Sequence, residues 1–170
     1  MKGRPDKSEA APYYFRYIDL VPEDDVLARL EAQLDETMAF LRGISEEKSL
    51  HRYAPDKWSV RQVLGHVNDA ERVFLFRALW FARGFTEPLP SYDENAGAVA
   101  GESDRFPWAS HVEDFRGARL STVAFFRNLP ATAWMARGVA SDKPFTVRAL
   151  AYILAGHVAH HTTVLRERYL

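Results

Sequence analysis

Residues 146–169 read TVRALAYILAGHVAHHTTVLRERY, and the periodicity of this stretch decides the fold class. Val147, Leu150, Ile153, Leu154, Val158, Val164 and Leu165 recur at spacings of three and four, which is one face of an α-helix. With 100° per residue and His157 at zero, these positions fall between about −40° and 100°, centred near 40°. His157 at zero and His161 at about 40° lie on that apolar stripe, and His160 at about −60° falls at its edge. Arg148 and Arg166, at about 180°, mark the wet side. Three of the chain's six histidines therefore crowd into one and a half turns, two of them facing inward.

Three further apolar patterns precede this helix. Pro22 followed by Glu23, Asp24 and Asp25 sets an early helical φ and places negative charge at a helix N-terminus; Val26, Leu27, Leu30, Leu34, Met38 and Leu41 then repeat until Gly43. Ser59 and Gln62 form a capping box that opens a second helix over about 59–83, with Gly84 at its end. Ser110 and Glu113 repeat the device for a third helix, which Pro130 stops not far past Asn128. No segment reads strongly as a strand. The spacing predicts an all-α protein, a four-helix bundle. The link of about 25 residues between Gly84 and Ala109 is long enough to cross the bundle, which gives an up-down-down-up topology with a crossover between helices two and three. Residues 1–170 read as a single domain, in which residues 1–12 form a flexible tail and YYFRYIDLV an extended aromatic segment laid on the bundle.

Composition narrows the function. Twenty-two basic and twenty-three acidic side chains give a formal charge of −1, with no basic block to match a row of phosphates, so no nucleic-acid partner is expected. No apolar run spans a bilayer and MKGRPDKSEA lacks a secretory h-region, so neither a membrane partner nor export is expected and the assigned address is cytoplasmic. There is no cysteine, so any metal must be held by nitrogen or oxygen.

On the second helix His66 faces the interior, while Arg61, Asn68 and Arg72 lie on the opposite arc. Three imidazoles from two helices, His66, His157 and His161, could then converge on one divalent ion and leave a coordination position open. Alone, His66 reads as a hydrogen-bonded core residue. An inward i, i+4 pair reads otherwise, because two neutral imidazoles without partners leave buried nitrogens unmet at about 1–3 kcal/mol each, and protonating both sets like charges side by side. The H-E-x-x-H pattern of zinc proteases is not matched, since Val158 stands where the basic glutamate would be. His160 is a candidate for proton transfer beside the site or for a half-exposed helix edge. His51 and His111 read as structural or solvated.

The chain resembles the DinB-like (DinB/YfiT) superfamily of metal-binding four-helix bundles over about Arg4 to Leu170. The resemblance rests on YFRYIDLV, KWSVRQVLGHVNDAERVFLFRALWFARG, LPSYDENAG and AGHVAHHTTVLRERYL. It implies an up-down-down-up bundle with a three-histidine site for a divalent metal, and it matches His66, His157 and His161 to the ligands. Zinc or nickel is the expected metal, with manganese or iron as alternatives, since imidazole suits several of these ions. Many relatives carry glutamate where this chain has Val158, so the resemblance does not supply that carboxylate. Characterised relatives include S-transferases and an isomerase that use low-molecular-weight thiols.

The functional expectation is accordingly a metal-dependent enzyme, an S-transferase or hydrolase, in which the metal activates water or a small thiol for attack on a small electrophile. The alternative is a non-catalytic bundle whose metal has a structural or sensing role. Trp58, Tyr92, Asp93 and Glu94 are candidates for the substrate pocket, Trp80 could also wall it, and SYDEN equally reads as a capped turn. A homodimer is a further expectation for a bundle of this size.

Overall fold

A computed structural model describes residues 3–170. In chain order it comprises α1 (Phe15–Ile18), α2 (Val26–Arg42), α3 (Glu46–Ser49), α4 (Val60–Ala82), α5 (Glu94–Ala100), α6 (Trp108–Arg127), the hairpin strands β1 (Arg137–Ala140) and β2 (Lys143–Thr146), and α7 (Val147–Arg168). The four long helices α2, α4, α6 and α7 make the bundle.

Which helix ends meet fixes the topology. Arg127 near the end of α6 bonds Glu31 near the start of α2, while Trp108 at the start of α6 donates from Nε1 to Leu41 O near the end of α2. These two helices are antiparallel. By contrast α4 and α6 are parallel, since Arg61 donates to Phe106 O, Asn68 to His111 O, and Arg119 to Glu71. Gln33 of α2 donates to Ala155 O of α7, and Arg166 lies over the Phe40 ring, so α2 and α7 also run together. The arrangement is up-down-down-up, and the crossover after α4 carries α5 across the bundle.

Local signals set most helix ends. The Ser59–Gln62 capping box is present in both directions at 3.0 Å. Two starts differ from the sequence reading. Asp25 rather than the Pro22 turn begins α2, its carboxylate accepting from Ala28 N. The third long helix begins at Trp108, ahead of Ser110, because Glu46 of α3 accepts from Trp108 N at 2.9 Å and supplies the cap that Ser110 was expected to provide.

Polar residues on supposedly wet arcs prove covered. Arg61 is buried under α3, bonded to Ser49 Oγ and paired with Glu46, and Asn68 is buried against α6. At the bundle centre Arg119, 0% exposed, grips Glu71 through two bonds of 2.7 and 3.0 Å and donates to Gln33 Oε1 at 2.7 Å. Gln33 passes the chain to Ala155 O, so one polar network ties all four helices. A buried pair of this kind holds register; losing one partner strands the other charge.

The N-terminal segment departs most from expectation. Residues 1 and 2 lie outside the described residues; of the next ten, Pro5, Glu9, Ala10 and Ala11 are buried while Arg4, Asp6, Lys7, Ser8 and Pro12 are exposed. Glu9, 1% exposed, accepts from Thr146 Oγ1 and Asp6 N, pairs with Arg148, and gives its carbonyl to Thr146 N. YYFRYIDLV contains a 3-10 turn running into α1 and is not the extended segment expected. It lies on α7 at Gly156, where a Cβ would sit 2.0 Å from Tyr17 O.

The β-hairpin was also missed. Its strands are four residues long, β2 contains Pro144, and its two-residue turn is Ser141–Asp142, at φ 53° and 57°. Such a turn is usually announced by Asn-Gly or Asp-Gly, which this sequence lacks. Leu89 pairs beside β1 and Ala10 beside β2, so crossover and N-terminal segment are both pinned to the hairpin.

Candidate metal centre

His66 projects from the second turn of α4, and His157 and His161 from successive turns of α7. Because α4 and α7 are antiparallel neighbours, the three rings meet. The His157 Nε2 atom lies 3.1 Å from His66 Nε2 and 3.1 Å from His161 Nε2, and one ligand atom from each of the three lies within 4.8 Å of the others. His157 is buried, 5% exposed, while His66 and His161 are half-buried beside it.

Hydrogen bonding alone does not satisfy this cluster. His157 Nε2 carries either one proton or one lone pair, yet faces two other Nε2 atoms. Meanwhile the Nδ1 atoms of His66 and His161 are buried without partners, so turning the rings' protons either way leaves nitrogen unmet. Protonation is no remedy. Burial lowers the pKa of His157 well below the ordinary histidine value, and the neighbouring His161 and His66 add to the effect. Burial likewise pushes His161 down to about 3 and lowers His66. Three neutral imidazoles with convergent lone pairs fit a divalent ion: nitrogens about 2.1 Å from one metal stand roughly 3.0–3.4 Å apart between right-angled and tetrahedral geometry.

The cluster lies on a cavity of about 250 Å³. Of the sequence candidates, Trp58, Tyr92 and Glu94 line it, and the Trp58 ring lies 5.2 Å from that of His66. Tyr92 donates to Asp69 Oδ2 at 2.9 Å, and burial together with that carboxylate pushes its phenol up to about 12, so it stays neutral. Gly97 makes room for it, since a Cβ there would meet the Tyr92 hydroxyl at 2.1 Å. Asp93 does not line the cavity; its carboxylate accepts from Asn95 N and Ala96 N and caps α5, the turn reading of SYDEN. Trp80 is elsewhere, donating to Glu87 O and stacking on Phe85. His160 touches the edge of His161 at 5.0 Å between rings but is outside the cavity lining. His111 is structural, bonded to Ser103 O, and His51 is exposed.

Sequence reasoning missed Tyr14, Tyr17, Arg77 and Ser141 on the cavity wall. The tyrosines arrive with α1, whose place could not be read from periodicity. Arg77 did leave a signal: eleven residues after His66, it falls about 20° away on the same helix face, inside an apolar stripe.

An up-down-down-up helical bundle with a buried three-histidine cluster on two antiparallel helices defines the class. The chain belongs to the DinB superfamily, whose family model matches residues 29–165. Among solved structures it is similar to YfiT from Bacillus subtilis, described as a probable metal-dependent hydrolase with an unusual four-helix bundle topology. That likeness has a TM-score of 0.68 at 19% identity and covers 98% of this chain and 91% of that one. A search of the curated proteins finds no match. Among the described residues no helix is long and apolar enough to cross a membrane.

Proposed function

We propose that this protein is a metal-dependent enzyme in which His66, His157 and His161 hold one divalent ion, zinc or nickel first, at the floor of the cavity. The observation that carries the reading is the convergence of three Nε2 atoms with no hydrogen-bonding solution among themselves. When bound, such an ion acts as a Lewis acid and lowers the pKa of a coordinated water or thiol into the neutral range. Among the described residues the cluster holds three ligand donors, which favours an open catalytic site over a closed structural one.

The remaining roles fall to the chain's own groups. Tyr17, its phenol raised by burial, packs edge-on against His157 and fixes that ring. Phe74 covers His157 from another side. Tyr92, held by Asp69, offers a neutral hydroxyl to a substrate at the cavity wall. Val158 is buried in the core, so no carboxylate on that turn takes a proton. A water or small thiol as nucleophile and a small electrophile as substrate match a chain that brings no thiol of its own.

The test is a panel of esters, amides and thiol–electrophile pairs run with zinc- or nickel-loaded protein, chelated protein and His161→Ala. Turnover that chelation and His161→Ala both abolish supports the reading. Turnover indifferent to both contradicts it, and a metal-loaded protein inert across the panel favours the structural or sensing alternative.

A further inference from the structure

Arg77 is an anomaly in this fold. It is 4% exposed, as deeply buried as Arg61, yet among the described residues no carboxylate lies within ion-pair distance of it. The other two arginines buried to this degree each hold one: Arg61 pairs with Glu46 and Arg119 with Glu71. Arg77 instead faces the cavity that contains the three histidines. Its Nη2 donates to Ser141 Oγ at 2.9 Å and Pro90 O at 3.3 Å, the guanidinium stands 5.6 Å from the Phe74 ring centre, and the Tyr14 phenol lies beside it.

Two segments are bent to set this arrangement. Ser141 occupies a left-handed backbone conformation in the hairpin turn, uncommon for a residue with a side chain. Leu89 receives Ser141 N on its carbonyl, which locks the crossover at Pro90 to the same turn. Both partners of Nη2 are thus held by the fold, and among the described residues no carboxylate is paired with any part of the fork.

We propose that Arg77 is an anion receptor, and that the molecule handled at the histidine cluster is a small carboxylic acid whose carboxylate docks on this guanidinium. The inference rests on the metal-site reading for its catalytic meaning, though the docking itself does not. A buried guanidinium with no counter-ion is unfavourable, and a carboxylate ligand supplies both the charge and the planar geometry that its fork matches. Burial lowers the pKa of Arg77, consistent with an uncompensated cation. The Ser141 and Tyr14 hydroxyls beside it are neutral, so a single positive charge faces the ligand, which suits a singly charged carboxylate better than a phosphate dianion. Glu94 on the same cavity wall weighs further against a dianion. A cavity of about 250 Å³ has room for a short acid.

The experiment titrates butyrate, its uncharged amide and inorganic phosphate into the full-length protein, with and without zinc, by calorimetry and by NMR of the arginine Nε–H signals. Wild type, Arg77→Gln, Ser141→Ala and His161→Ala are compared after circular dichroism confirms folding. Butyrate should bind wild type in preference to the other two, perturb one buried arginine signal, and lose roughly tenfold or more in affinity in Arg77→Gln with zinc content unchanged. Ser141→Ala, which keeps the charge but frees the side chain, should weaken butyrate by a smaller factor and serves if Arg77→Gln does not fold. Equal butyrate affinity in wild type and both variants, binding of the amide as tight as that of the acid, or a preference for phosphate overturns the proposal. Zinc uptake without arginine-dependent butyrate binding sinks this inference alone; the converse sinks the metal reading and leaves the receptor standing.

Discussion

Gly156 lies directly beneath Tyr17, so close that a Cβ on it would stand 2.0 Å from the Tyr17 carbonyl oxygen. That contact seats α1 on α7 one residue before His157 and brings the Tyr17 ring 5.3 Å from the imidazole. Replacing Gly156 with Ala should lift α1, destabilise the fold by about 1–3 kcal/mol or more, and loosen the cavity wall. Urea unfolding of the two proteins measures it. An unchanged midpoint would mean that α1 does not depend on this close approach.

The Arg119–Glu71 pair gives a sharper energetic test. Arg119→Met or Glu71→Gln alone leaves a buried group without its partner and should cost about 3–5 kcal/mol. Replacing both with apolar residues should cost much less than the sum of the single changes, since neither charge is then stranded. A double-mutant cycle by denaturant unfolding reads the coupling directly; additive losses would contradict the network.

Glu9 makes part of the stability dependent on pH. Burial alone would raise its pKa, but the bonds from Arg148, the Asp6 backbone and Thr146 outweigh it and hold the carboxyl below its ordinary value of 4.5. A depressed folded pKa stabilises the protein above the unfolded value, and that contribution disappears as pH falls through the folded one. Glu9→Gln should therefore cost about 1.5–3 kcal/mol at pH 7 and progressively less below pH 4.5. Parallel unfolding curves at pH 7 and at about pH 3.5 check the sign. A gap that stays constant with pH would refute it.

In the hairpin turn, Asp142 adopts φ 57° with no side-chain bond to justify it among the described residues. Asp142→Gly should relieve that conformation and stabilise the protein by about 0.5–1 kcal/mol, seen as a rise of a few degrees in Tm. A lowered Tm would show that the aspartate has a role the geometry does not reveal.

Much of this was legible in the sequence because long amphipathic helices announce themselves. The stripe through Val147, Leu150 and Leu154 placed α7, and the same angles put His157 and His161 on its inner face. What periodicity could not show was how segments without it are used. The N-terminal residues carry no repeat, yet Glu9 and Tyr17 are held by partners more than 130 positions away. Tertiary contact also overrode local capping at Trp108, where Glu46 replaces Ser110. Arg77 and Arg119 were within reach, because each falls inside an apolar stripe of its own helix and an inward arginine needs a partner; the first faces the cavity and the second Glu71.

The most direct test of the central claim is the metal content of purified protein, measured by elemental analysis in wild type, His157→Ala and His51→Ala. His157 is the ring that touches both others, and His51 is an exposed histidine outside the cluster and the cavity lining. One equivalent of a divalent metal in wild type and His51→Ala, and almost none in a folded His157→Ala, is the predicted result. Metal equal in all three, or absent from wild type even after incubation with zinc or nickel, would contradict it.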